Sequence, residues 1–159
     1  IVRQVNILVI LAIPFFAGSF IELKKGFTLI VSNPKKLVIG IVLMISIIMI
    51  QLFAWYFQTG HFIVYSYQGE GFNFSSPELF KVLFSYEKGL FVYTPVLILC
   101  LFSSVIFLIK KQFYLFFSWI LFFSILTYVF SSWWAWHYGC SYGMRPYIDF
   151  YSFFSSFSV

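Results

Sequence analysis

The stretch LVIGIVLMISIIMIQLFAWYF, Leu37 to Phe57, decides the fold class, because it carries no charged residue and is long enough, as a helix, to cross a bilayer. About 20 mostly apolar residues cover the roughly 30 Å hydrocarbon layer. A helix that is apolar on every side is at home in lipid or deep inside a large protein, not at a water-facing surface. The run is preceded by Ser32-Asn33-Pro34-Lys35, where cap candidates are followed by a proline in the first turn, a helix-start pattern.

Outward from this run, three more stretches read as spans, at 4–22, 90–109 and 113–131, and a further one starts near Phe150. In the first, Pro14 is expected to kink the helix and Asn6 needs a polar partner inside the bundle. The third follows Gly89 and carries Thr94-Pro95 near its start. In lipid, backbone polar groups must be satisfied within each segment, so the expected fold is all-α, a polytopic transmembrane helix bundle over one region, 1–159. The long unbroken apolar runs exclude a β-barrel.

Composition agrees, with 62% hydrophobic, 25% aromatic and 9% charged residues and a mean hydropathy of +0.94. Soluble domains carry roughly 25% charged residues. The net charge of +5 comes largely from lysine pairs at 24–25, 35–36 and 110–111, which flank apolar runs. That is juxtamembrane placement, so the expected partner is the bilayer and not nucleic acid. The chain starts with Ile1 and stops at Val159 inside an apolar run, and on that basis it is expected to be a fragment of a longer protein. No signal-peptide pattern is present. Cys100 lies in an apolar run and Cys140 in a polar-aromatic loop, so a disulfide between them is not expected, and neither a metal nor a cofactor is implied.

The lysine pairs also orient the chain. They fall in the first and third connections, which the positive-inside rule makes cytoplasmic. The second connection, about 58–89, and the loop after the fourth span therefore face outward. Within the second, Ser75-Ser76-Pro77-Glu78 reads as a helix start. Leu79, Phe80, Leu83, Phe84 and Tyr86 then form an apolar stripe, as expected of a short interfacial helix.

Three outward stretches carry the chemistry-bearing residues. In the first, Gly69 and Gly71 flank Glu70, a carboxylate suited to act as a base, a cation ligand or a hydroxyl acceptor, or else a solvated turn residue. His61 nearby reads as structural, with no second histidine at a metal-ligand spacing. The second stretch, Tyr86-Glu87-Lys88-Gly89 to Thr94-Pro95, reads as a bent connector. The third runs from Ser131 to Phe150. Trp133, Trp134 and Trp136 are interface anchors or stacking faces. His137 and Tyr142 are further candidate substrate-binding residues, Gly139 and Gly143 permit close backbone approach, and Arg145 offers a planar fork for phosphate or carboxylate, or else binds anionic lipid or pairs with Asp149.

At Phe84 to Pro95 and at Trp133 to Asp149, with Gly69-Glu70-Gly71-Phe72 as a weaker companion, the sequence resembles the multi-spanning bacterial glycosyltransferases of the C type. That group includes the protein mannosyltransferase-like and aminoarabinose transferase-like enzymes. The likeness covers most of residues 50–150 and looks like the middle or later part of such a protein, in its C-terminal half. It implies an enzyme of the bacterial inner (cytoplasmic) membrane that transfers a sugar from a polyprenyl-phosphate donor to an acceptor on the non-cytoplasmic side. At most it implies that Arg145 holds the carrier's phosphate by charge-assisted hydrogen bonds; Trp133, Trp136, His137, Tyr142 and Glu70 join Arg145 as candidate substrate contacts on their own side-chain chemistry. The catalytic acidic residue of that group usually lies in the first outer loop, near the amino terminus, a region this chain is expected to lack, so no catalytic residue is assigned here. The competing expectation is a non-enzymatic integral membrane subunit or scaffold that packs its aromatic helices against membrane protein partners. A transporter ranks third, because few ionisable residues fall inside the spans.

Overall fold

The computed structural model describes residues 4–63, 69–139 and 142–155, the side chains of 4–6 and 155 excepted. The partner expected for Asn6, the residues 65–68 and Cys140 lie outside the described residues. Among the described residues the chain is helical, with one isolated β-bridge and no strand. It divides into two compact units, Ile1–Phe20 with Gly71–Val159, and Ile21–Glu70.

The first unit is built on α7 (Phe113–Ser131), whose bounds coincide with the expected fourth span. Both sides of α7 are apolar, but they differ in what covers them. Trp119, Phe122, Leu126 and Phe130 recur at helical spacing and are buried, whereas Phe113, Phe117 and Leu121 are exposed, as suits contact with lipid tails. A 3₁₀ segment, Arg145–Phe150, and α8 (Tyr151–Ser155) supply the other half of this core. The Phe130 ring lies 4.9 Å from Tyr147 and 5.9 Å from Phe150, and Trp119 lies 6.3 Å from Phe154.

Two expected spans are interrupted. Over 90–109 the chain forms α5 (Leu90–Tyr93), breaks at Thr94, and continues as α6 (Val96–Ile109). Pro95 has no N–H to donate and disfavours helical geometry at the residue before it, and Thr94 accordingly sits at φ −133° and ψ 68°. A tight turn then joins α6 to α7. Its Lys111 is left-handed at φ 58°, and Gln112 N donates to Phe107 O at 2.7 Å.

The first stretch departs further from expectation. Gln4–Ala12 is a 3₁₀ helix and Ile13–Phe16 is α1. Pro14 does not break the chain, since it stands in the first turn of α1, where a missing N–H costs nothing. The interruption falls at Gly18, left-handed at φ 72°, whose N–H returns to Phe15 O at 3.0 Å. Beyond it α2 (Phe20–Ser32) occupies residues that the sequence divides between the end of a span and a cytoplasmic connection.

The second unit holds most of α2 and all of α3 (Pro34–Thr59), which contains the expected 37–57 span. Gly60, left-handed at φ 75°, ends α3 by donating to Tyr56 O at 2.8 Å, the usual glycine stop. Both α3 and α7 are long and apolar enough to cross a bilayer, which makes the chain an integral membrane protein.

Candidate functional site

The first unit brings residues 71–74, the 84–95 connector and the loop after α7 together at the C-terminal end of α7. Its last turn leaves carbonyls without helical partners, and the segment from residue 71 onward fills them. Asn73 N donates to Ser132 O at 2.6 Å and Glu78 N to Ser131 O at 2.9 Å, while Trp134 N donates back to Gly71 O at 3.0 Å. Tyr128 Oη fastens the same segment by donating to Phe74 O at 2.8 Å. The isolated bridge pairs Phe72 with Trp133, whose rings meet edge to face at 4.8 Å.

From this seam α4 (Leu79–Phe84) begins one residue after Glu78, as the interfacial-helix reading anticipates. Val82 is buried, while Phe80 and Tyr86 are exposed. Lys81 Nζ donates to Glu78 Oε1 at 2.9 Å and stands 6.0 Å from the centre of the Trp136 ring, so Trp136 faces a cation already in place. The connector 85–89 is tight. Gly89 N donates to Ser85 O at 2.7 Å, and a Cβ on Gly89 would come within 2.5 Å of that same oxygen. Only glycine fits there.

Tyr93, at the end of α5, ties the connector to the last loop. Its hydroxyl donates to Tyr86 O at 3.0 Å, its ring meets Tyr142 edge to face at 5.0 Å, and its Cβ lies 3.1 Å from where a Cβ on Gly143 would be. Among the described residues of the loop between Trp133 and Arg145, Tyr138 at φ 50°, Gly139 at 72° and Gly143 at 59° are left-handed. Tyr138 is held in this conformation by stacking on Trp133 and by donating its hydroxyl to Phe130 O at 3.0 Å. Burial raises its phenol above the ordinary range. His137 Nδ1 accepts from Gly139 N at 3.3 Å, which leaves Nε2 to carry the proton of the neutral ring.

Arg145 opens the 3₁₀ segment at the edge of this cluster, exposed and without a side-chain partner among the described residues. The pair with Asp149 considered from the sequence does not form, and Asp149 engages elsewhere. Behind Arg145, Met144, Pro146 and Tyr147 are buried, so the guanidinium is mounted on a fixed base.

Of the six residues singled out in the sequence, Trp133, Trp136, His137, Tyr142 and Arg145 share this loop, and Glu70, half-buried, belongs to the other unit. The sequence reading missed Tyr93, Lys81 and Tyr138 as organisers of the site. Tyr93 gives the clearest signal in retrospect, an aromatic hydroxyl one residue before Thr94-Pro95. No group of three or more His, Cys, Asp or Glu side chains arranged to hold a metal occurs among the described residues. No family model, no curated protein and no solved structure matches the chain.

Proposed function

We propose that the chain is part of a membrane glycosyltransferase of the C type, in the bacterial inner membrane, acting on a polyprenyl-phosphate sugar donor at the non-cytoplasmic face. The observation that supports this reading is the meeting of the 71–74, 84–95 and 133–149 phrases at one end of α7, with Arg145 exposed beside them. A guanidinium gives a phosphate bidentate, charge-assisted hydrogen bonds, and Tyr142 and Trp134 offer exposed aromatic faces for a sugar ring or isoprenoid. In the reaction the acceptor's nucleophile bonds to the anomeric carbon as the bond to the phosphate oxygen breaks and polyprenyl phosphate leaves. The acceptor's proton goes to a base in an early outer loop outside this chain, and Arg145 stabilises the charge on the leaving group.

Titration of the purified chain in detergent with a polyprenyl monophosphate, followed by tryptophan fluorescence, tests the proposal. Saturable binding is expected, stronger than for the uncharged polyprenol. Hydrogen bonds to a charged group are worth about 1.5–3 kcal/mol, so Arg145→Ala weakens it by about tenfold or more. Equal binding of phosphate and alcohol, or an unchanged Arg145→Ala titration, overturns it. A full-length sequence lacking an acidic residue in an earlier outer loop does the same.

The second reading, a non-enzymatic subunit of a membrane complex, draws on α3, none of whose residues is buried. Stoichiometric co-purification of a partner, with full function in both Arg145→Ala and Glu70→Ala, favours it.

A further inference from the structure

The sequence places the first connection between spans at residues 23–36, and the chain there is α2 followed almost at once by α3. At about 100° per residue, Phe20, Leu23, Phe27, Ile30 and Val31 gather on one side of α2. Glu22, Lys25, Thr28 and Ser32 lie opposite, interrupted by Ile21 and Leu29, with Lys24 at the border. None of its residues is buried, and Phe20, Phe27, Ile30 and Val31 are all exposed. Such a stripe needs an apolar neighbour.

Depth identifies the neighbour. The 26 residues of α3 extend about 39 Å, more than the roughly 30 Å hydrocarbon layer, so its Lys35-Lys36 end stands at headgroup level. Only Asn33 separates that end from α2. Asn33 Nδ2 donates to Leu29 O at 2.9 Å and Leu37 N donates to Asn33 O at 3.1 Å, so the end of α2 and the start of α3 share one depth. Charge identifies the lipid. Residues 20–36 carry four lysines against one glutamate, Glu22, which pairs with Lys25 at 2.8 Å. Lys24, Lys35 and Lys36 stay exposed, as in the polybasic juxtamembrane segments that anionic headgroups attract.

We infer that α2 is an in-plane surface helix whose partner is an anionic lipid surface. Its apolar stripe sinks into the boundary between headgroups and acyl chains, and its lysines sit among anionic headgroups. This inference does not rest on the glycosyltransferase reading.

The test uses the chain with Cys140→Ser, the buried Cys100 left in place, and one nitroxide attached through Phe27→Cys, Thr28→Cys or Ile45→Cys. Each is reconstituted into vesicles of phosphatidylcholine alone or mixed with phosphatidylglycerol. Collision with oxygen and with a water-soluble nickel chelate reports depth. The label at 27 is expected to favour oxygen at about 5–10 Å below the phosphates, the label at 28 to favour the chelate, and the label at 45 to lie deepest. Phosphatidylglycerol lowers chelate access at 27, and Lys24→Gln with Lys25→Gln abolishes that difference. Three outcomes overturn the inference. Equal chelate access at 27 and 28 puts α2 in water, a depth at 27 equal to that at 45 makes it a limb of a bent span, and shielding of 27 from both reagents means protein covers the stripe.

Discussion

Tyr147 Oη donates to Thr127 Oγ1 across 2.9 Å, and Thr127 Oγ1 in turn donates to Phe123 O at 2.8 Å. Both residues are buried, between α7 and the 3₁₀ segment that carries Arg145. The pair fixes the base on which the exposed guanidinium stands, and its two halves are unequal. Thr127→Val strands a buried phenol hydroxyl and is expected to cost about 1–3 kcal/mol, whereas Tyr147→Phe removes one hydrogen bond and costs about 1 kcal/mol or less. Reversible unfolding in mixed detergent micelles, comparing the two single variants, checks the order.

Tyr138 and Tyr147 also set a pH response. Burial raises both phenols above their ordinary value, and at Tyr147 the hydrogen bond with Thr127 offsets part of that rise. Below about pH 10 the phenol is neutral in the folded and unfolded chain alike, so these groups leave stability flat. Above that, the unfolded chain ionises first and stability falls as pH rises. A thermal melt series from neutral to alkaline pH should bend down near pH 10, and in Tyr147→Phe the bend should be weaker.

Gly89→Ala is expected to disrupt the connector. The new Cβ would lie 2.5 Å from Ser85 O and 2.6 Å from Ser85 N, both backbone atoms that cannot rotate away. A cost of about 1–3 kcal/mol or more follows. Gly71→Ala, with nothing within 4 Å of the added Cβ, serves as the matched control and should melt within a few degrees of wild type.

Arg145→Ala and Gly143→Ala should separate binding from folding. Arg145 is exposed with no side-chain partner among the described residues, so its loss should change stability by under about 0.5 kcal/mol while weakening phosphate binding. At Gly143, the left-handed φ of 59° and the 3.1 Å approach to Tyr93 Cβ make alanine strained, at a cost of about 1–3 kcal/mol. That variant should lose both stability and binding, read by melting and by the polyprenyl-phosphate titration.

Orientation is open to direct chemistry. In a Cys140→Ser background, Tyr86→Cys and Tyr142→Cys lie at the C-terminal end of α7 and Gln112→Cys at its start. A membrane-impermeant thiol reagent should reach the first two from the outside of intact cells and Gln112→Cys only after permeabilisation. Labelling of all three from one side would remove α7 as a span.

How much was legible depended on the kind of force. The helices α3 and α7 could be read from Leu37 to Phe57 and from Phe113 to Ser131, because long uncharged apolar runs in lipid have one economical way to satisfy their backbone. The start of α4 followed from the Ser-Ser-Pro-Glu pattern for a similarly local reason. Pro14 misled for want of context, since a proline breaks a helix only when it stands beyond the first turn, and that depends on where the helix begins.

The sequence by itself determined that this chain lives in a membrane, that it is helical there, and that its aromatic, glycine and arginine residues cluster in connectors. Tertiary structure alone decided that residues 71–74, Tyr93 and the Trp133–Arg145 loop meet at one end of α7. The reason is physical. Hydropathy acts residue by residue along the chain, whereas these features arise from contacts between residues up to about sixty positions apart, such as Gly71 with Trp134, and nothing local to either partner encodes the distance between them.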